Sequence, residues 1–394
     1  GRVDNQVLFV AYGIPGEDVV AEVVDRRSRF TRAHARQVLT ASPQRAVPPC
    51  VVFGTCGGCQ FQHIAYSAQV EYKTQVVIQQ LRRIGGFADP PVRPMIPAAY
   101  PWHYRNHARF QPNRAGRLCF TRIQSHDLVE IPMCWIMMEP INEALEKLQG
   151  HAHGLHQVAV RYGARTNQLL ISPHIPTLDD VLPTGQPFYE EVLLGRTFRV
   201  SESSFFQVNT RPVERELPEA IKAPWLTERH GAFSQADLLT LLVLDRLDAT
   251  GDEVLVDAYC GVGTFALLAA DRVRRVIGIE ESKSAIRDAE VNRRGVSNCT
   301  FIRGKTEEVL PELEEQIDVV VLDPSRLGCD SRVMTSLIKT RPRKILYVSC
   351  DPATLARDLG VLCEWAYDLV EVQPIDMFPQ TYHIENVAVL RLRE

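Results

Sequence analysis

The 394-residue chain has no apolar run approaching the ~20 residues that a membrane-spanning helix requires, and its N-terminus shows no signal-peptide pattern. A soluble, cytoplasmic protein with no membrane partner is therefore expected. Internal repeats and low-complexity tracts are also missing, and with 45% hydrophobic and 23% charged residues the composition is globular. The chain is too long for one ordinary core, so two or three domains are expected. A strong charge imbalance is lacking too, at a formal net charge of -4. That total hides an asymmetry: residues 1–200 carry 21 Lys and Arg against 16 Asp and Glu, a balance of +5, and residues 201–394 carry 23 against 32, a balance of -9. A nucleic acid, if bound, should meet the first half. Ten unevenly spaced cysteines do not make a disulfide scaffold in a chain this long.

Up to about Ala46, apolar and polar residues alternate on either side of Gly13-Ile14-Pro15-Gly16, which predicts a small antiparallel β unit, a barrel lacking its first strands. Arg26, Arg27, Arg29, Arg32 and Arg36 lie close together with Phe30 and His34 among them. Such a set suits phosphates and a stacked base, or equally a solvated edge made basic against aggregation; the charge asymmetry favours RNA. Next, Cys50, Cys56 and Cys59 crowd into a glycine-rich loop, where Gly54, Gly57 and Gly58 let the backbone wrap tightly enough for sulfurs to converge. Cys134 and Cys119 are the candidates for a fourth ligand, and Cys134, after a proline that ends a strand-like run, is preferred. The spacing suits zinc and an iron–sulfur cluster alike. A helix is expected from Ile64 to the stop at Gly85-Gly86, then a strand-rich region to about Val200 in which His103, Arg105, His107 and Arg109 share one strand face. In the following SESSFFQVNT, Phe205 and Phe206 are read as core, while Gln207 and Asn209 offer amides to a ligand.

From about Gln235 strands and helices alternate, which implies a parallel sheet with helices on both faces. EVLVDAYCGVGTFALLAA reads as strand, glycine turn and helix, with Gly261 and Gly263 bringing backbone against a ligand; alone it fits a dinucleotide fingerprint as well. The next strand ends in Glu280, a carboxylate for ribose hydroxyls. A later strand delivers Asp323-Pro324-Ser325-Arg326, and KILYVSCDPATLARD delivers Cys350 to the sheet rim before a helix. A dehydrogenase has no evident need for both. A pyrimidine methyltransferase has: C5 of uracil is a poor nucleophile until a thiolate adds at C6, after which a base must remove the C5 proton. Cys350 supplies the thiol, and Glu385 and His383, just before the last strand, are the candidate bases. Asp323 and Arg326 stand ready to orient the ring or stabilise its charge.

The motifs FFQVN, DAYCGVGTF, GIE, DPSRLG, SCDPATLARD and HIENVAVL, in this order and spacing, resemble the RNA 5-methyluridine (uracil-C5) methyltransferase family, over nearly the whole chain. The resemblance implies an α/β chain: a Rossmann-like class I methyltransferase domain (201–394), an N-terminal OB-like TRAM barrel, here incomplete (1–46), and a strand-rich central iron–sulfur and RNA-binding domain (47–200). It implies Cys350 as nucleophile, Glu385 as base, and S-adenosyl-L-methionine contacts at Gln207, Tyr259, Glu280 and Asp323, beside the glycine turn at Gly261. It implies a [4Fe-4S] cluster on Cys50, Cys56, Cys59 and Cys134, which is the 23S rRNA type of member, so rRNA is favoured over tRNA as partner. No obligate protein partner is inferred. Gly304-Lys305 departs from the family pattern and receives no cofactor contact. The readings set against this one are a tRNA uridine-C5 enzyme, a cytosine-C5 enzyme using the same thiolate, and an inactive RNA-binding iron–sulfur redox sensor.

Overall fold

The computed structural model describes residues 1–3 and 6–394. Strands β1 (Arg2–Val3), β2 (Gln6–Ala11), β3 (Asp18–Arg26) and β4 (Phe30–Thr40) form one sheet in the order β1-β2-β4-β3. The expected antiparallel unit holds for β3 with β4, but β2 and β4 run parallel. The turn after β2 carries the chain past the neighbouring slot, which β4 then fills on its return. Among the described residues the sheet stays open, with β1 and β3 as its edges. Two of the clustered arginines pair with carboxylates of β3, Arg27 with Asp25 and Arg36 with Glu22, and Arg32 lies over the Phe30 ring.

Helix α1 (Tyr66–Arg83) stops before the predicted glycines. Strands β5 (His107–Pro112), β6 (Leu118–Thr121) and β7 (Leu128–Glu130), helix α2 (Glu139–Leu148), and strands β8 (Val158–Tyr162) and β9 (Leu169–Ser172) follow. The five strands make an antiparallel sheet, β7-β6-β5-β8-β9, over whose apolar side α2 lays Ile141, Leu145 and Leu148 against Phe110, Leu118, Val158 and Ile171. Burial alternates along this stretch so that Arg105, His107 and Arg109 share the outer side, whereas His103, expected with them, precedes β5 in a bend with left-handed backbone, φ 49°. Two hairpins come next, β10 (Phe188–Leu193) with β11 (Arg196–Ser201), and β12 (Val213–Glu216) with β13 (His230–Phe233).

The last part is the predicted α/β unit: α3 (Gln235–Leu247), β14 (Val254–Ala258), α4 (Thr264–Ala269), β15 (Arg275–Glu280), α5 (Lys283–Asn292), β16 (Cys299–Arg303), α6 (Thr306–Val309), β17 (Val319–Leu322), α7 (Ser331–Thr340), β18 (Lys344–Ser349), α8 (Pro352–Trp365), β19 (Tyr367–Ile375) and β20 (Glu385–Leu392). The seven strands are ordered β16-β15-β14-β17-β18-β20-β19; β14 to β18 are parallel, whereas β20 is antiparallel to both of its neighbours. Runs such as VVVL and ILYV are buried throughout, as a sheet covered on both faces demands.

Packing does not respect cuts at 47 and 200. Val77 and Leu81 of α1, with Met95, belong to the core shared by β14, β17 and β18, and Val92 and Ile96 bridge to β19. The β10–β11 hairpin joins the core on the opposite face, and Asp288 of α5 accepts hydrogen bonds from the Ser201 amide and hydroxyl. Chain from the middle of the sequence thus completes the large α/β unit. A fully buried polar tie is the pair Lys73–Asp376 at 2.7 Å, in which Lys73 also donates to the Phe378 carbonyl and Tyr66 donates to Asp376. Removing one partner of such a pair leaves the other charge buried. Lys73→Ala should therefore cost about 3–5 kcal/mol in a denaturant titration, and a loss below ~1 kcal/mol would show that α1 is not anchored through this pair.

Candidate active site

In an open α/β sheet the ligand crevice lies beyond the carboxyl ends of the strands, where the strand order reverses. Here the reversal falls between β14 and β17, and the glycine turn follows β14. Tyr259, Gly261 and Gly263 all have left-handed backbone, with φ of 84°, 55° and 86°. At Gly263 a Cβ would also stand 2.8 Å from the Phe301 ring, so glycine is required there twice over. Glu280 locks the turn to β15: its two oxygens accept from the Gly261 amide at 3.1 Å and the Ser282 amide at 2.7 Å. Each oxygen keeps a further lone pair for a ligand hydroxyl. The Tyr259 hydroxyl is pushed up by burial and by neighbouring Cys329, and so stays protonated.

Cys350 follows β18, and the next residue, Asp351, caps α8 by accepting from the Ala353 and Thr354 amides. Because β20 runs against β18 with Ser349 opposite Asn386, its first residue, Glu385, comes level with Cys350. Burial pushes the Cys350 thiol up to about 11, with Glu385 adding to the rise and Arg326 opposing it. Burial, then Asp323, lifts Glu385 well above the carboxylate range, and burial raises Asp323 to about 7. The two acids act as a pair that resists full ionisation. His383, the other candidate base, is pushed down to about 4 by burial and by Arg326, whose guanidinium lies 3.3 Å from its ring.

All of these groups line one cleft of about 1710 Å³, which holds Gln207, Tyr259, Gly261, Glu280, Asp323, Arg326, Cys350 and Glu385. Cys50, Cys56, Cys59 and Cys134 line its other wall, but Cys119 does not; that thiol is buried and turned to the Arg117 carbonyl. Burial, then charge on neighbouring groups, pushes Cys59 up to about 12 and Cys134 to about 11, and the Gly58 amide donates to the Cys56 sulfur at 3.4 Å. Among the described residues, no group of three or more His, Cys, Asp or Glu side chains could hold a metal ion. The expected convergence of sulfurs is thus corrected: the four thiols line this one cleft, but their side chains as placed do not make a metal site.

Several cleft residues were not expected. Phe205, read as core, is 64% exposed and lines the cleft, while Phe206 beside it is buried. Gly304 and Lys305, given no role, sit with Thr306 next to the glycine turn, and Arg105, His107, Arg109 and Arg122 face the same space. His107 is pushed down to about 2 by burial and by Arg161, so it remains neutral among cations.

Together these features define an α/β methyltransferase. The structure superimposes on the Pyrococcus abyssi tRNA (uracil-54, C5)-methyltransferase, solved with S-adenosyl-L-homocysteine, with a TM-score of 0.70 and 24% identity, covering 97% of this chain and 95% of that one. Residues 231–393 match the family described as tRNA (Uracil-5-)-methyltransferase. RNA methyltransferases of unassigned target from Gloeobacter violaceus and Halalkalibacterium halodurans are 35% and 34% identical to it, over 98% and 100% of this chain and 92% and 93% of theirs. The chain belongs to the same family as these RNA methyltransferases. No helix among its described residues is long and apolar enough to cross a membrane.

The acid pair has a consequence for stability. A carboxyl raised from its ordinary value near 4 to about 7 contributes stability that is complete below the lower value and is lost as pH rises through the upper one. Asp323→Asn removes that loss. Its melting temperature should therefore exceed the parent's by about 2–4 °C or more at pH ~8, with little difference at pH ~4; an equal shift at both pH values would contradict the raised carboxyl.

Proposed function

We propose that the protein methylates C5 of uridine in RNA, with Cys350 as nucleophile and Glu385 as general base. The observation that carries this reading is the register of β20 against β18, which sets the thiol and the carboxyl level with each other at the edge of the glycine-turn crevice. Bound S-adenosyl-L-methionine supplies an electrophilic methyl group, and Gln207, Tyr259, Gly261, Glu280 and Asp323 are the residues proposed to hold it. Cys350 gives an electron pair to C6, and the C5–C6 π pair moves toward the ring oxygen, where the Arg326 cation stabilises it. C5 would then form a bond to the methyl carbon as the sulfur–methyl bond breaks and its electron pair stays on sulfur, leaving the neutral thioether. Glu385 removes the C5 proton, the C5–C6 double bond re-forms and the C6–sulfur bond breaks, returning the thiolate. The wall of Arg105, Arg109 and Arg122 and the open N-terminal sheet with Phe9, Phe30 and Arg32 are proposed to hold the RNA backbone. Burying the reactive ring beside Cys350 requires uridine to leave its stack.

We further propose that Cys50, Cys56, Cys59 and Cys134 hold a [4Fe-4S] cluster and that the RNA is 23S rRNA. The four thiols lining one cleft support the cluster, and the resemblance of this cysteine set to the 23S rRNA type of member is what favours ribosomal over transfer RNA. Protein purified without oxygen should contain about four iron and four sulfide per chain, and Cys134→Ser should lose them; an iron-free parent would end the cluster proposal. For the reaction, RNA incubated with methyl-labelled cofactor and digested to nucleosides should show label only in 5-methyluridine. Label in cytidine or ribose would refute the assignment, and label in tRNA but not rRNA would move the substrate. Cys350→Ala should abolish turnover while keeping cofactor binding. Glu385→Gln should accumulate a covalent protein–RNA complex, and normal product release from it would reassign the base.

A further inference from the structure

The SCDPATLARD segment has work left over after Cys350 and the Asp351 cap are accounted for. Thr354, Arg357 and Asp358 recur at helical spacing and so occupy one side of α8. That side grips the loop between β17 and α7, residues 323–330, at three successive points. The Thr354 hydroxyl donates to the Arg326 carbonyl at 3.2 Å, Arg357 donates to the Leu327 carbonyl at 3.0 Å, and Asp358 accepts from the Cys329 amide at 2.9 Å. Asp358 also accepts from the buried Tyr347 hydroxyl of β18 at 2.7 Å and pairs with Arg357, so the contact is braced from beneath. The fit is close. Gly328, with φ of 75°, would place a Cβ 2.5 Å from Arg357 Nη2, 2.6 Å from Asp358 Oδ2 and 3.2 Å from Thr354 Cβ. The loop gripped in this way carries Asp323 at one end and Arg326 in its middle, and α8 starts two residues after Cys350.

We infer that this side of α8 is a clamp that holds Arg326 beside Cys350, with Thr354, Arg357 and Asp358 as positioning residues for the nucleophile. The inference rests on the proposed role of Cys350 for its meaning, though not for its test. Arg326 is the cation of the 323–330 loop beside the thiol; from the other elements Cys350 faces the carboxyls of Asp323 at the end of β17 and Glu385 on β20. Arg326 also meets His383 from the connection that leads into β20. Displacing the guanidinium would therefore leave the thiol facing acids alone. The chain that presents the sulfur goes on, through the first turns of α8, to fix the charge that favours the thiolate.

The test needs no RNA. Alkylation of Cys350 by iodoacetamide, followed on its own peptide by mass spectrometry from neutral to alkaline pH, reads thiolate availability in the intact free protein. Arg326→Ala should move the labelling profile to higher pH. Thr354→Val and Gly328→Ala, which loosen the loop while leaving Arg326 in the chain, should move it the same way, slowing labelling at a fixed, mildly alkaline pH by about tenfold, the worth of one charge-assisted contact. Thr354→Ser, which keeps the hydroxyl, should match the parent. Retained affinity for S-adenosyl-L-homocysteine marks a folded variant, and if Gly328→Ala fails that check, Thr354→Val carries the test. Profiles for the loop variants that superimpose on the parent's, while Arg326→Ala shifts, would overturn the clamp. An unshifted Arg326→Ala profile would overturn it as well. Failure to find methylated uridine would count against the proposed reaction and leave these profiles readable.

Discussion

The constraint on which the site depends is the direction of one strand. In a wholly parallel sheet every strand presents its last residues at the ligand edge, and no strand can offer its first. Inserting β20 antiparallel between β18 and β19 breaks that rule. The residue that opens β20 then lies level with the residue that follows β18, so two groups 35 positions apart share one wall through main-chain pairing rather than through flexible loops. Asn386 reinforces the register by donating to the Ser349 carbonyl.

Geometry of this kind brings like charges together, and burial sharpens the effect. Asp323, Glu385 and the Cys350 thiol lie in a space that favours their neutral forms, and Arg326 is the cation that works against this for both the thiol and Glu385. A carboxyl with raised proton affinity and a thiol that ionises only beside a well-placed cation are chemically useful, and the carboxyl weakens the fold near neutral pH. The opposite wall concentrates four more thiols, of which Cys59 and Cys134 are also strongly raised by burial. The cleft is thus lined by groups whose protonation is set by the fold.

Local chemistry was legible in the sequence. The strand, glycine turn and helix around Gly261 and Gly263, the acid ending β15 and the strand-to-helix break after Cys350 are each written within a few residues, and the structure places them as read. What failed was long-range. Alternation in the N-terminal strands gives no sign that β4 slips between β2 and β3. The helical period of α1 shows a buried stripe without saying that the stripe faces a sheet built almost 200 residues later. Phe205 and Phe206 were read as one hydrophobic pair, although in extended chain neighbours point to opposite sides, and that rule alone would have separated the exposed ring from the buried one. The proximity of the cysteine loop to the reaction cleft had no sequence signal at all.

That last proximity has a structural cause. The amides of Gln60 and Phe61, directly after Cys59, both donate to the Gln380 carbonyl, and Gln69 and Gln380 bond each other through buried amides. The connection from β19 to β20 is therefore stitched to the first third of the chain, with Asp376 drawing its counter-ion from α1. It follows that the region matched by the family profile is not a portable module. Excised, it would bare the apolar bed that receives Leu81 and strand a carboxylate without its cation, so transplanting this catalytic half onto another RNA-binding scaffold would have to bring α1 and the cysteine turn along.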